Sequence, residues 1–206
     1  SRKSGGHCFF WRSLPSTRFR AFLESRQGGF HAPYAAKEER TVMAKLLLGK
    51  PVIDSLREEL KGRIAALEER DVKPGLAIVR VGARPDDLAY ERTALKRAAG
   101  LGIRARTITL PENASQEELM DVIAWVNSDP SIHGCLMFRP LPEQFDEEAV
   151  CDALDPAKDV DGIGRGSMAA VFTGRGPGYA PCTAAACIEM LDAYDIPIAG
   201  KRVVVV

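Results

Sequence analysis

The segment His133–Gly162 has the sequence HGCLMFRPLPEQFDEEAVCDALDPAKDVDG and gives the clearest indication of the fold. Its apolar run, Cys135–Phe138, is followed after Arg139 by the sequence Pro140-Leu141-Pro142. Each proline fixes φ and lacks the backbone donor that a strand needs. A short amphipathic segment follows, and then the acidic turn Asp159–Gly162. In α/β proteins the segment after such a strand usually lines a ligand crevice. The stretch therefore predicts a buried strand beside a cleft, with a carboxylate-bearing turn next to it.

The residues around this stretch alternate between helix and strand patterns. Apolar residues at three- and four-residue spacing predict helices, and short apolar runs bounded by Gly or Pro predict strands. The predicted helices are Val52–Glu69, Leu88–Leu101, Ser115–Asn127, Asp146–Leu154 and Thr183–Tyr194, and the predicted strands are Leu76–Val81, Ile103–Leu110, Gly134–Phe138 and Lys201–Val206. Strands separated by helices form mostly parallel sheets. We therefore expect a three-layer α/β/α fold of the α/β class.

Several helix ends carry specific signals. Gly102 is placed to end a helix, and Ser115 with Glu118 forms a capping box. Asp86, Asp87 and Thr183 are expected to act as N-terminal caps.

Composition narrows the function classes. The 206 residues are 46% apolar and 27% charged, which suits a globular protein of one domain or slightly more. The 28 basic and 28 acidic residues balance, but residues 1–42 hold eight Lys or Arg against three Glu. The remainder is therefore mildly acidic, which argues against a nucleic-acid surface. No apolar run reaches the length of a membrane span.

The cysteines indicate neither a metal site nor a disulfide framework. They are Cys8, Cys135, Cys151, Cys182 and Cys187, and no two form a Cys-x-x-Cys pair. His133 is the one histidine after residue 42, so we expect no zinc site. We expect the cysteines to be small buried residues in a reducing cytosol, and a structural role for Cys182 although it precedes a helix.

Residues 1–42 differ from the rest of the chain. They carry seven of the fourteen aromatic residues and no hydrophobic periodicity, and the first methionine is Met43. Either they are a transit peptide, which would make the protein mitochondrial, or they are upstream sequence before a start at Met43. We favour the second interpretation, with a cytoplasmic protein, and expect this segment to be disordered and outside the function.

The end of the chain resembles the start of another α/β unit. Gly200–Val206 predicts a first strand, after which nucleotide-binding domains place a glycine-rich turn for phosphates. The sequence contains no such turn after a strand. Gly174–Gly178 is glycine-rich, and we expect an exposed loop there in preference to a phosphate cradle.

These motifs together resemble FolD-type methylenetetrahydrofolate dehydrogenase/cyclohydrolases. GCLMFRPLP, DPAKDVDG, the Pro181-Cys182-Thr183 helix start and the terminal GKRVVVV occur in the family's order, from Met43 to Val206. The resemblance implies a folate-binding catalytic domain over residues 43–182. It also implies a connecting helix and the first strand of a truncated NAD(P)-binding domain over residues 183–206. On this view the chain is a fragment that lacks the NAD or NADP site and is itself inactive, and the full-length protein is a homodimer.

The resemblance also implies site residues. The family oxidises methylenetetrahydrofolate with NAD(P) and hydrolyses the resulting methenyl cation. Tyr90 matches the tyrosine of the family's Tyr-x-x-x-Lys motif and Asp161 the carboxylate that binds the pterin, so both are the candidate catalytic residues. Arg139, Pro140 and Leu141 are candidate substrate-binding residues. We expect no metal, nucleic acid or membrane partner.

Two positions depart from the family pattern. Its lysine, the general acid/base, is Ala94 here, and its glutamine is Phe138. On a helix Lys96 points about 200° away from Ala94, and Arg97 lies about 10 Å along from Tyr90. Arg139 is the better compensating cation, although an arginine is a poor base.

We therefore expect dehydrogenase activity in the full-length protein with weak or absent cyclohydrolase activity. The alternatives are a folate- or pterin-binding module without catalysis, and an unrelated α/β binding domain.

Overall fold

The structure is a computed structural model and describes residues 45–204, so the predictions for residues 1–42 lie outside the described residues. Its elements, in chain order, are α1 (Gly49–Glu68), β1 (Gly75–Val81), α2 (Pro85–Leu101), β2 (Arg104–Leu110), α3 (Gln116–Ser128), β3 (Gly134–Met137), α4 (Glu147–Ala153), α5 (Arg165–Thr173) and α6 (Cys182–Ala193).

The three strands form one parallel sheet in the order β2-β1-β3. Gly75 is opposite Arg104 at the start of the β1–β2 pair, and Leu76 is opposite Gly134 at the start of the β1–β3 pair. β1 is central and almost wholly buried, which explains its continuous apolar sequence. The expected α/β class and parallel sheet are confirmed.

Helices cover both faces of this sheet because side chains alternate along β1. Ala77, Val79 and Val81 point into the main core, which they share with Leu119 and Ile123 of α3. Residues 78 and 80 point to the other face, where the Arg80 side chain contacts α2 through Glu91 Oε2 at 2.8 Å. The sheet is therefore the middle of three layers.

On the second face, α1 packs against α2 and α6. Gly102, with φ +80°, ends α2 as predicted, and an added Cβ there would lie 3.6 Å from Ile64 of α1. At the far end of α6, the Tyr194 hydroxyl donates to Leu48 O at 3.0 Å and accepts from Leu48 N at 3.1 Å. These contacts join the helices that precede and follow the sheet.

The predicted helix starts are partly confirmed. The capping box is present, because Ser115 Oγ accepts from Glu118 N at 3.1 Å and the Glu118 carboxylate accepts from Ser115 N at 2.7 Å. The cap prediction for Asp86 and Asp87 is wrong: α2 begins earlier, at Pro85, because the fixed φ of proline suits a first helical position. The prediction for Thr183 is also wrong, since α6 begins at Cys182 with no side-chain cap.

Two elements differ from the prediction. α5 was not predicted, because its large apolar residues, Met168 and Phe172, are exposed and leave no core-facing periodicity. The strand predicted over Lys201–Val206 is wrong in its described part, where residues 201–204 are coil and Val204 is 84% exposed. A strand needs a hydrogen-bonding neighbour, and β2, β1 and β3 do not supply one there.

Candidate folate-binding cleft

An open cleft of about 220 Å³ lies where β3 ends and α2 passes over it. Its lining residues are Asp87, Tyr90, Leu136, Met137, Phe138, Arg139 and Asp161. Tyr90, Arg139 and Asp161, predicted from three separate segments, thus line the same cleft. The carboxyl end of a parallel strand is the usual position of a ligand site in α/β folds.

Two aromatic side chains form the apolar part of the cleft. Tyr90 of α2 is 59% exposed, whereas Phe138, directly after β3, is 7% exposed. Their ring centroids are 5.4 Å apart at an interplanar angle of 70°, an edge-to-face contact. Phe138 N donates to Val79 O at 2.9 Å, so the sheet fixes this residue in place. The Tyr90 ring remains available for a flat ligand.

The chain that carries Asp161 runs beside β3. Cys135 N donates to Lys158 O at 2.6 Å, and Cys135 forms a parallel bridge with Asp159. Two residues further along both segments, Asp161 lies beside Met137, and both residues line the cleft. The short parallel pairing thus places the acidic turn where β3 ends.

Asp159 holds the turn together. It is 1% exposed, and its carboxylate accepts from Ile163 N at 3.0 Å, Gly164 N at 2.9 Å and the Ser167 hydroxyl at 2.6 Å. These bonds satisfy three donors at the start of α5. Of the two acidic residues in the turn, Asp159 is therefore structural and Asp161 faces the cleft.

The start of α6 supports the turn from behind. Gly162 has φ +64°, and an added Cβ would lie 2.5 Å from Tyr179 O and 2.9 Å from Pro181 N. The Cys182 thiol donates to Val160 O at 3.4 Å and lies near the Asp161 carboxylate. Partial desolvation of the sulfur, and then the nearby Asp161 carboxylate, raise the pKa of the Cys182 thiol to about 11. The thiol is thus a neutral donor at neutral pH, consistent with the expected structural role.

Arg139 is held by an ion pair at the edge of the cleft. Its Nη1 lies 3.4 Å from Glu147 Oε1, and Glu147 Oε2 accepts from Leu141 N at 2.7 Å. Glu147 therefore fixes the segment from residue 139 to residue 141. The Arg139 guanidinium is a fixed cation, and it cannot serve as a base because it stays protonated.

Asp87 is the charged lining residue that the sequence patterns did not indicate. It lies one helical turn before Tyr90, and its side chain is 13% exposed. Arg84 holds its carboxylate with two hydrogen bonds, Nε to Oδ2 at 2.8 Å and Nη2 to Oδ1 at 2.9 Å. The sequence does not indicate a cleft position for Asp87, because Asp is common in the first turn of a helix.

Three other predicted positions lie outside the lining. Pro140 is exposed, and Leu141 packs against the core. Ala94 is half-buried on α2, one turn after Tyr90. The family motif has a lysine at this position of the helix. Because the Ala94 side chain is a methyl group, this protein has no titratable group there.

The prediction that the cysteines are buried holds for Cys135 and Cys151 and is wrong for Cys182 and Cys187, which are exposed. The reason is that α6 buries none of its residues within the described part of the chain. Burial raises the pKa of Cys135 to about 12. Cys8 lies outside the described residues.

The described residues do not fit a dinucleotide site. Between residues 45 and 204, no glycine-rich turn connects a strand to a helix N-terminus, the arrangement that holds a pyrophosphate. Gly174–Gly178 instead follows α5 as exposed coil, and Gly174 ends that helix with φ +66°. Over the same range there is no cluster of His, Cys, Asp and Glu suited to a metal ion, and no helix long and apolar enough to cross a membrane.

Comparison with known proteins supports the resemblance. Residues 47–161 match the family described as tetrahydrofolate dehydrogenase/cyclohydrolase, catalytic domain. Bifunctional protein FolD of Carboxydothermus hydrogenoformans is 44% identical over 163 residues, which are 79% of this chain and 57% of that protein. The chain thus spans little more than half the length of this relative.

Two solved structures are similar to this one. The FolD methylenetetrahydrofolate dehydrogenase/cyclohydrolase of Campylobacter jejuni superposes with a TM-score of 0.73 at 32% identity, over 76% of this chain and 56% of that chain. The Trypanosoma brucei enzyme, solved with NADP and an inhibitor, has a TM-score of 0.70 at 32% identity, over 77% of this chain and 55% of that chain.

Proposed function

Because this chain belongs to the tetrahydrofolate dehydrogenase/cyclohydrolase family, we propose that residues 43–182 form a folate-binding catalytic domain and that residues 183–206 connect it to an NAD(P)-binding domain. The proposed reaction of the whole protein is the NAD(P)-dependent oxidation of methylenetetrahydrofolate to methenyltetrahydrofolate, carried out by a homodimer. Cyclohydrolase activity is weak or absent.

The observation that carries this proposal is the meeting of Tyr90, Phe138 and Asp161 in one cleft. A pterin is a flat ring with N–H donors at one edge. The Tyr90 ring offers a surface on which it stacks, and the Asp161 carboxylate offers an acceptor for those donors. The turn that holds Asp161 is fixed through Asp159 and Gly162, so the acceptor is preorganised.

The same cleft argues against hydrolysis of the methenyl cation. That step needs a base within hydrogen-bonding reach of the attacking water. Ala94 and Phe138 cannot act as one, and Arg139 stays protonated. In this proposal the lining carboxylates have other contacts: Arg84 holds that of Asp87, and the pterin N–H donors bind that of Asp161.

The oxidation step requires less from these residues. When bound, NAD or NADP accepts the hydride, and the described residues would bind the folate and fix its orientation. Because residues 45–204 do not fit a dinucleotide site, we assign to them no step that involves the cofactor.

Titration calorimetry of the 206-residue chain with 5-formyltetrahydrofolate tests the binding proposal. We expect saturable binding that Asp161→Asn weakens by roughly tenfold, the effect of losing one charged acceptor. Asp121→Asn is the matched control, since Asp121 is an exposed residue of α3 outside the cleft lining. If both variants bound as the unaltered chain does, the assignment of the cleft would be wrong.

A second candidate function is folate or pterin binding without catalysis, which Ala94 and Phe138 favour. Transfer of deuterium from labelled methylenetetrahydrofolate to NAD(P) by the whole protein separates the two candidates. Transfer supports the dehydrogenase, and folate binding without transfer supports the binding module.

A further inference from the structure

We propose that Asp87 is a specificity-determining residue of the cleft, a second carboxylate that favours ligands with a cationic one-carbon bridge over neutral folates. The inference rests on the proposed folate function and deepens it.

Asp87 lies next to Tyr90 in the lining of the cleft. Asp87 and Tyr90 are three residues apart on α2, so their side chains share one helix face. Both line the cleft, and Asp161 lines it from the acidic turn. A ligand that contacts Tyr90 and Asp161 is therefore bound in a cleft that two carboxylates line.

Arg84 fixes the Asp87 carboxylate in place. Arg84 contacts each carboxylate oxygen once, at 2.8 and 2.9 Å, which leaves further lone pairs on both oxygens. The Asp87 side chain is 13% exposed, whereas that of Arg84 is 48% exposed. Water therefore screens the Arg84 charge more strongly than the Asp87 charge, and the cleft keeps a negative field.

The other charges of the cleft do not cancel this field. Arg139 is the one cation among the lining residues described, and Glu147 lies 3.4 Å from it. At position 94, one turn after Tyr90, there is a methyl group and no charge. The lining thus combines Asp87 and Asp161 with the electron-rich face of Tyr90, and all three attract a delocalised cation.

Loss of hydride from a methylene bridge between two folate nitrogens leaves a cation shared by those nitrogens. The negative field would stabilise this cation and the transition state that leads to it. With a methyl group at position 94, where the family motif has its lysine, the cation would leave the cleft intact. A separate hydrolytic or one-carbon-transfer reaction would then have to consume it.

Calorimetry with two folates tests the inference: 5,10-methenyltetrahydrofolate, which is cationic at its bridge, and 5-formyltetrahydrofolate, which is neutral there. We expect Asp87→Asn to weaken methenyltetrahydrofolate binding about tenfold more than 5-formyltetrahydrofolate binding, the order expected for one charge in a partly solvated cleft. Asp86→Asn is the matched control, because the neighbouring Asp86 is exposed and outside the lining.

Binding of the neutral folate by Asp87→Asn shows that the variant is folded and its cleft intact. Equal loss of affinity for both ligands, or no loss for either, would overturn the inference and leave the proposed function standing. If the unaltered chain bound neither folate, the proposed function would be wrong and this inference with it.

Discussion

The two acidic residues of the Asp159–Gly162 turn are predicted to have separable roles. Replacing Asp159 by Asn keeps one acceptor oxygen and turns the other into an amide nitrogen. The carboxylate accepts from Ile163 N, Gly164 N and Ser167 Oγ within 3.0 Å. The Ser167 hydroxyl can rotate to accept from the new amide, but one backbone N–H must lose its acceptor in either orientation of the Asn side chain.

The expected loss of stability follows from this count. A buried donor without a partner costs about 1–3 kcal/mol, and the remaining bonds lose the strength that the ionic acceptor gave them. Asp159→Asn should therefore lower the free energy of unfolding by about 2–4 kcal/mol. Asp161→Asn should lower it by under about 1 kcal/mol, because Asp161 is half-buried and the donor near it is the weakly donating thiol of Cys182.

Urea unfolding measured by circular dichroism gives both free energies, and calorimetry with 5-formyltetrahydrofolate gives the affinities. We expect Asp159→Asn to lose stability and Asp161→Asn to lose affinity. Equal loss of stability in the two variants, or a loss below about 0.5 kcal/mol in Asp159→Asn, would refute this division of roles.

Two further predictions concern the support of the turn. Gly162→Ala should destabilise the chain by at least about 1–3 kcal/mol and weaken folate binding, because φ is +64° and the new methyl group would lie 2.5 Å from Tyr179 O. Urea unfolding measures this loss of stability. Gly174→Ala is the control, since Gly174 has a similar φ of +66° and open space around it. With a pKa of about 11, the Cys182 thiol should be alkylated by iodoacetamide at pH 8 roughly a hundredfold more slowly than free cysteine, with a rate that rises towards pH 11. Asp161→Asn should speed this alkylation, since it removes a charge that opposes the thiolate, and site-resolved mass spectrometry that found no change would contradict the Asp161–Cys182 contact.

Local signals predicted most of the fold. The Ser115–Glu118 capping box and Gly102 are local features, and both act as expected. α5 was missed because its apolar residues do not face the core, so periodicity carried no signal. A strand at Val203–Val204 was wrongly expected because a β-branched run does not show whether a neighbouring strand is present.

In the candidate cleft, motif residues were the ones that the sequence pointed to. Tyr90, Arg139 and Asp161 lie together in its lining, and their roles in binding and catalysis stay predictions. Asp87 was not found, because its position in a first helical turn already explained it. The structural role of Asp159 depends on the start of α5, which the sequence did not predict. Roles that depend on contacts between distant segments were thus the ones that sequence patterns left open.

We propose that the cleft binds folate and, with Ala94 in place of the family motif's lysine, does not hydrolyse the methenyl cation. The most direct test is the rate at which methenyltetrahydrofolate absorbance decays with the 206-residue chain, since hydrolysis needs no dinucleotide. We predict that the absorbance of methenyltetrahydrofolate falls no faster with the saturated chain than in buffer alone. The double variant Ala94→Lys, Phe138→Gln should accelerate this fall at least roughly tenfold, which is within the contribution of a positioned general base. Hydrolysis by the unaltered chain at the rate of a lysine-bearing family member measured beside it would contradict the claim.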